Sequence, residues 1–128
     1  LQEKVFFHGK FSPEELRNIL SRHNVGISYI PITPWFDVQP PTKTFEYLLA
    51  GMPVIATRTK ENMKIINHSN GVLIPDTSDG FREGLITICR NINEKKYFSS
   101  FISRSSNIYS WEHIVTTTLK PYIDSLLN

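Results

Sequence analysis

The sequence has a single cysteine, Cys89, in 128 residues. One thiol excludes an internal disulfide and a cysteine-built zinc site, and it suits a reducing compartment. His23, His68 and His113 show no metal-ligand spacing, and no metal or other cofactor is expected. The patterns G-x-G-x-x-G, the P-loop, G-x-S-x-G and H-E-x-x-H are all missing, which removes the common nucleotide-loop, hydrolase and zincin readings. No apolar run approaches the roughly 18 residues that a membrane span requires. Charge of one sign is also scarce. Fourteen basic residues against twelve acidic ones leave a net +2, with no block of either, so a nucleic-acid footprint is not indicated. There is no internal repeat, low-complexity tract or obvious linker.

What is present is an ordinary soluble balance, 40% hydrophobic and 20% charged, at a length that suits one domain with a modest core. Strand-like and helix-like runs alternate along it. Val5 to Gly9 reads as a short strand. Ser12, Pro13 and Glu15 then give a helix start with a capping box, and Leu16, Ile19 and Leu20 supply its apolar stripe. Val25 to Ile32 reads as a second strand, followed by a loop from Thr33 to Pro41 rich in proline and aromatics. Thr42 to Ala50 is the next helix, with Gly51 as a left-handed stop. Pro53 to Thr57 is nearly all apolar, as suits a parallel strand buried on both faces.

Asn62 to Asn67 predicts a short helix and Gly71 to Ile74 another strand. Phe81, Leu85, Ile88, Cys89 and Ile92 repeat at helical spacing, which places Cys89 in a core stripe. Glu94 to Ser106 predicts a more polar helix. The last helix starts near Trp111, capped by Ser110. Its inner stripe is Trp111, Ile114, Val115, Thr118, Leu119, Tyr122 and Leu126, and Pro121 is expected to kink it. The alternation predicts an α/β fold, a Rossmann-like parallel sheet flanked by helices.

In such a sheet, ligands bind beyond the carboxyl ends of the strands. The segments to inspect are therefore His8 to Lys10, Thr33 to Thr42, Arg58 to Lys60, and Pro75-Asp76. Glu46 lies one helical turn past the second of these. A carboxylate there can accept two hydrogen bonds from a vicinal diol such as that of a ribose, and a solvated helix glutamate is the ordinary alternative. The helix start at Thr42-Lys43 offers free backbone N–H groups for an anion, with the Lys43 ammonium as an added charge. Gln39 and Thr44 are further amide donors, whereas Pro40 and Pro41 stiffen the loop and donate nothing. Asp37, Trp35 and Phe36 share that loop, where the aromatics face a base, a sugar, another domain or their own. His8 ends the first strand near the same cleft, with a structural role as the alternative. Arg58 reads as a surface residue that a phosphate would also suit.

These segments carry a resemblance. Residues 41–57, PTKTFEYLLAGMPVIAT, resemble the donor-site segment of retaining glycosyltransferases of the GT-B architecture, the group 1 or family 4 type. VFFHGKFSPEELRNILSRHNVGISYIPI before it, NGVLIPD after it, and YSWEHIVTTTLKPYIDSLL at the end resemble the flanking family elements in order. The resemblance implies the C-terminal, donor-binding half of a two-domain enzyme. It also implies transfer of a hexosyl group from a UDP- or GDP-sugar to a glycan or lipid-linked acceptor, as in polysaccharide or lipopolysaccharide synthesis. Glu46 matches the family glutamate that contacts ribose, and Thr42 and Lys43 match the turn that meets diphosphate and sugar. The nucleotide-sugar-binding set implied is Glu46, Lys43, Thr42, Gln39, Asp37 and His8, with the catalytic residue unassigned.

There are departures. Val38 stands where many members carry a first glutamate, Pro40 and Pro41 replace loop glycines, and Lys64 replaces a glutamate before the paired isoleucines. Two other readings stay open, a non-catalytic interaction domain with a decayed site and a sugar-nucleotide epimerase. Residues 1–128 are expected to be one nucleotide-sugar-binding domain. They are expected to be a fragment without the family's first C-domain strand and without the acceptor domain, inactive alone. A cytoplasmic location is expected, with the inner membrane face left open for a longer protein.

Overall fold

The computed structural model describes residues 4–127. Its centre is a three-stranded, all-parallel sheet in the order β1 (Gly26–Ser28), β2 (Val54–Thr57), β3 (Gly71–Ile74). The register aligns Ile27 with Ile55, and Ile55 with Val72. The helices are α1 (Pro13–Leu20), α2 (Thr42–Leu49), α3 (Lys60–Ile65), α4 (Ser78–Asn93) and α5 (Ser99–Ser106). A 3-10 turn over Asn107–Tyr109 leads to α6 (Trp111–Ile114), a π turn over Val115–Leu119 and α7 (Lys120–Leu127). The expected Rossmann-like α/β arrangement is the one found.

Every residue of β2 is buried, and the strand alternation distributes its side chains to two cores. Val54 and Ala56 join Leu48 of α2, Ile65 and Ile66 at α3, and Ile102 of α5 on one face. Ile55 joins Ile74 and Ile88 of α4 on the other. Helix α1 starts as read, with Ser12 Oγ accepting from Glu15 N and the Glu15 carboxylate accepting from Ser12 N. Helix α2 stops at Gly51, φ +78, where Met52 N donates to Tyr47 O and Gly51 N to Leu48 O. This paired closure is the Schellman arrangement, and its left-handed position suits glycine.

Several expectations are corrected. Val5 to Gly9 forms no strand. Phe6 is 73% and Phe7 96% exposed, and a lone extended run with no neighbour cannot satisfy its backbone. The second strand is only Gly26–Ser28, because the Ile30 backbone N–H and C=O bond the Thr57 hydroxyl instead of a ladder partner, and Pro31 cannot donate. The third helix spans Lys60–Ile65, shifted toward its Thr59 cap, which accepts from Asn62 N. The helix expected from Glu94 begins only at Ser99, since Lys95 adopts φ +54 and breaks the run.

Cys89 is exposed, not core. The buried residues of α4 are Gly80, Gly84 and Ile88, and two glycines let the helix lie close on the sheet. A Cβ at Gly84 would strike Ile74 and press on Ile55. The closing-helix stripe is not an inner one. Trp111 is 82% exposed, and Leu119, Tyr122 and Leu126 are exposed as well. In place of a simple kink at Pro121, the chain takes a π turn immediately before it.

Candidate functional site

The three strands run parallel, so Tyr29, Arg58 and Pro75-Asp76 emerge together at their carboxyl ends. Helix α2 opens over the same edge. Its N-cap position is Pro41, with no side-chain cap. The Thr44 amide donates to Pro41 O at 3.0 Å and the Gln39 amide to Phe36 O at 3.3 Å, so both of these candidate donors are already occupied. Among the described residues, the Thr42 and Lys43 amides have no hydrogen-bond partner. An uncapped helix start with free N–H groups concentrates partial positive charge there.

Lys43 is half-buried, and desolvation holds its ammonium below the usual lysine range. Its Nζ donates to the Tyr29 carbonyl oxygen at 2.8 Å. Glu46 follows one turn later, exposed and without a hydrogen bond or ion pair among the described residues. It lies on the wall of a groove of about 430 Å³ between α1 and α2, shared with Pro13, Leu16, Arg17, Leu20 and Leu49. The α2 face thus carries a free carboxylate, a partly desolvated ammonium and two free amides within its first five residues.

Two other expected site residues are engaged elsewhere. Asp37 accepts from Lys60 N at 2.9 Å and pairs with the Lys60 ammonium at 3.3 Å, which caps the start of α3. The Lys60 amide, more than its charge, holds the Asp37 carboxyl below the usual range, against a smaller opposing desolvation. His8 is exposed on the segment before α1, with its ring 6.3 Å from Phe6 and 6.1 Å from Phe11. No hydrogen bond, ion pair or ring contact joins it to α2 among the described residues. Among those same residues no group of three or more His, Cys, Asp or Glu could hold a metal ion, and no helix is long and apolar enough to cross a membrane.

Beneath the α2 start lies a polar cluster that the residue pattern did not signal. Thr44 Oγ1 is 2.7 Å from Ser28 Oγ and 3.0 Å from Asn62 Oδ1. With one proton, Thr44 donates to the amide oxygen, which can only accept, and receives the Ser28 hydroxyl. Asn62 Nδ2 donates to Thr57 O at 2.9 Å. Ser28, Thr44, Thr57 and Asn62 are all fully buried, so α2 is fixed over β1, β2 and α3 by satisfied polar groups rather than apolar contact alone. Tyr29 was likewise not singled out. Its hydroxyl donates to the Asp76 carboxylate after β3, whose second oxygen accepts from Ile32 N at 2.8 Å.

This geometry sits inside a recognised family. The sequence model of the Glycosyl transferases group 1 matches residues 1–91, from the first residue to within α4. The chain belongs to that family. No curated protein and no solved structure matches it. The matched part of this glycosyltransferase domain contains the whole sheet, α1 to α3 and the α2 start with its polar cluster.

Proposed function

We propose that this domain is the donor-binding part of a glycosyltransferase that moves a hexosyl group, with retention, from a nucleotide-sugar to a glycan or lipid-linked acceptor. The observation that carries the proposal is the uncapped start of α2, where two free amides and the Lys43 ammonium precede Glu46 by a single turn. The amides of Thr42 and Lys43 and the lysine charge suit a diphosphate, whose developing negative charge on the leaving group needs such donors. The Glu46 carboxylate suits a ribose diol. Membership of a transferase family supports the same reading.

In this proposal the acceptor meets the donor through a second domain, and residues 1–128 alone bind without turning over, since transfer needs both reactants held in one dry cleft. The test is a binding panel of UDP, GDP, ADP and CMP and their sugars, read by ligand-observed NMR, with Glu46→Ala alongside. Selective binding that weakens at least fivefold in Glu46→Ala supports the donor site. Binding to none of the panel, here and in the full-length protein, overturns it. Glycosyl transfer by residues 1–128 alone would refute the two-domain requirement.

One observation favours a second reading, an interaction domain whose site has decayed. Val38 is exposed and apolar where a family carboxylate is expected, and the adjacent Asp37 is committed to Lys60. That reading expects a folded chain with no nucleotide affinity.

A further inference from the structure

We propose that Asp76 and Tyr29 are positioning residues for the donor site, a clamp that fixes the β1–α2 loop and through it the free amides of α2. The inference rests on the donor-site reading above. Asp76 follows β3, and its partners follow β1, so this one carboxylate reaches past the central strand. One oxygen accepts the Tyr29 hydroxyl and the other accepts Ile32 N at 2.8 Å, which secures the chain on both sides of Pro31. Phe81 of α4 packs edge-on against the Tyr29 ring at 6.2 Å and holds the phenol in place.

The residues between are held from other directions. Thr57, at the end of β2, accepts from Ile30 N at 2.9 Å and donates to Ile30 O at 2.7 Å. Lys43 closes back onto Tyr29 O, and Asp37 ties the far end of the loop to Lys60. The loop is therefore a fixed ledge. It enters α2 through Pro40 and Pro41, whose fixed φ angles narrow the freedom of the helix entry, and Lys43 ties that helix start directly to the Tyr29 backbone. The buried Thr44 hydroxyl holds α2 from beneath, but α2 has no side-chain cap, so the approach to its free amides is set by the loop that leads into it. A ledge ordered before the ligand arrives spares the ordering cost that a mobile loop would add to binding.

The chemistry dictates the variants. In Asp76→Asn the side chain keeps its shape, but an NH₂ replaces one acceptor and opposes either the Ile32 amide or the Tyr29 hydroxyl. Tyr29→Phe removes only the hydroxyl and keeps the ring against Phe81, so it remains informative if Asp76→Asn folds poorly.

The experiment uses the whole chain. Amide hydrogen exchange at Ile32 and Asp37, and dissociation constants for a nucleoside diphosphate from the panel and its nucleoside, are measured in wild type and both variants. Faster exchange in the loop, at least fivefold weaker diphosphate binding, and nucleoside binding changed less than twofold are expected. A merely structural residue would not split the two ligands in this way. Faster exchange with unchanged diphosphate affinity, or an equal loss for both ligands, overturns the positioning role and leaves the donor reading standing. A wild type that binds no nucleotide, here and in the full-length protein, overturns the donor reading and the clamp's role with it.

Discussion

The Lys43 ammonium donates to the Tyr29 carbonyl oxygen at 2.8 Å, which fastens the second residue of α2 to the end of β1. The bond holds a positive charge beside the free α2 amides while burial depresses its pKa. Lys43→Met keeps a similar length and removes both charge and donor. We expect about tenfold weaker binding of a nucleoside diphosphate, in line with about 1.5–3 kcal/mol for hydrogen bonds to charged groups after partial compensation by the amides. Nucleoside binding should hardly change. Calorimetric titration of the two ligands checks this.

The same lysine predicts proton linkage. Its folded pKa lies below the unfolded value, so its charge is disfavoured in the fold at neutral pH, and that cost is relieved as pH rises from the folded value to the unfolded one of about 10.4. A bound diphosphate reverses the bias and draws the pKa back up. Calorimetry at pH 9 to 10, in buffers of different ionisation enthalpy, should show uptake of a fraction of a proton on binding. Proton release, or none in any buffer, counts against Lys43 as the phosphate charge.

Thr44→Val deletes the hydroxyl shared by Ser28 and Asn62 in a fully buried place. An amide oxygen and a serine hydroxyl are left without that partner, and each unsatisfied buried group costs about 1–3 kcal/mol. A loss of about 2–6 kcal/mol in urea denaturation is expected, with the slope m unchanged.

Gly26→Ala places a Cβ against the Tyr47 ring, which lies directly over the strand. Overpacking of this kind costs about 1–3 kcal/mol. Tyr47→Leu in the same chain should recover part of it, and the double-mutant cycle measured by thermal unfolding checks the coupling.

Acid should loosen the loop first. The Tyr29 hydroxyl, then the Ile32 amide, hold Asp76 below the usual carboxylate range, and the Lys60 amide does the same for Asp37. Both groups have folded pKa values below their unfolded ones, so they stabilise the fold above the usual aspartate value of about 3.9. That contribution is lost as pH falls through their folded values. Tyr29 is shifted the other way, raised chiefly by its bond to Asp76, so its share persists below the usual tyrosine range and fades as pH climbs through the raised value. Carboxyl carbon shifts should titrate below pH 3.9 for Asp37 and Asp76, and the Ile32 and Lys60 amides should exchange faster over that range.

The readable parts of the chain were those whose signals are local. The capping box at Ser12 and Glu15, the stop at Gly51 and the apolar run of β2 each carry their cause within a few residues. The free start of α2 was legible too, because prolines leave helix amides uncapped. What escaped depends on partners far along the chain. Asp37 reads as a cleft carboxylate from its loop alone, and its pairing with Lys60, 23 residues on, has no local signal. Cys89 looked like core because only large side chains were weighed, whereas Gly80 and Gly84 decide which side of α4 meets the sheet. Ser28, Thr44 and Asn62 carry no apolar signal, and only their burial joins them.

The π turn over Val115–Leu119 has a geometric consequence for the tail of the chain. One extra residue per turn advances everything after it by about 100° relative to an unbroken α-helix. A helical wheel puts Trp111 and Tyr122 nearly in line, but the added residue swings the Lys120–Leu127 arm a quarter turn away from the Trp111–Ile114 arm. The greasy seam written in the sequence is thus cut into two panels that look in different directions.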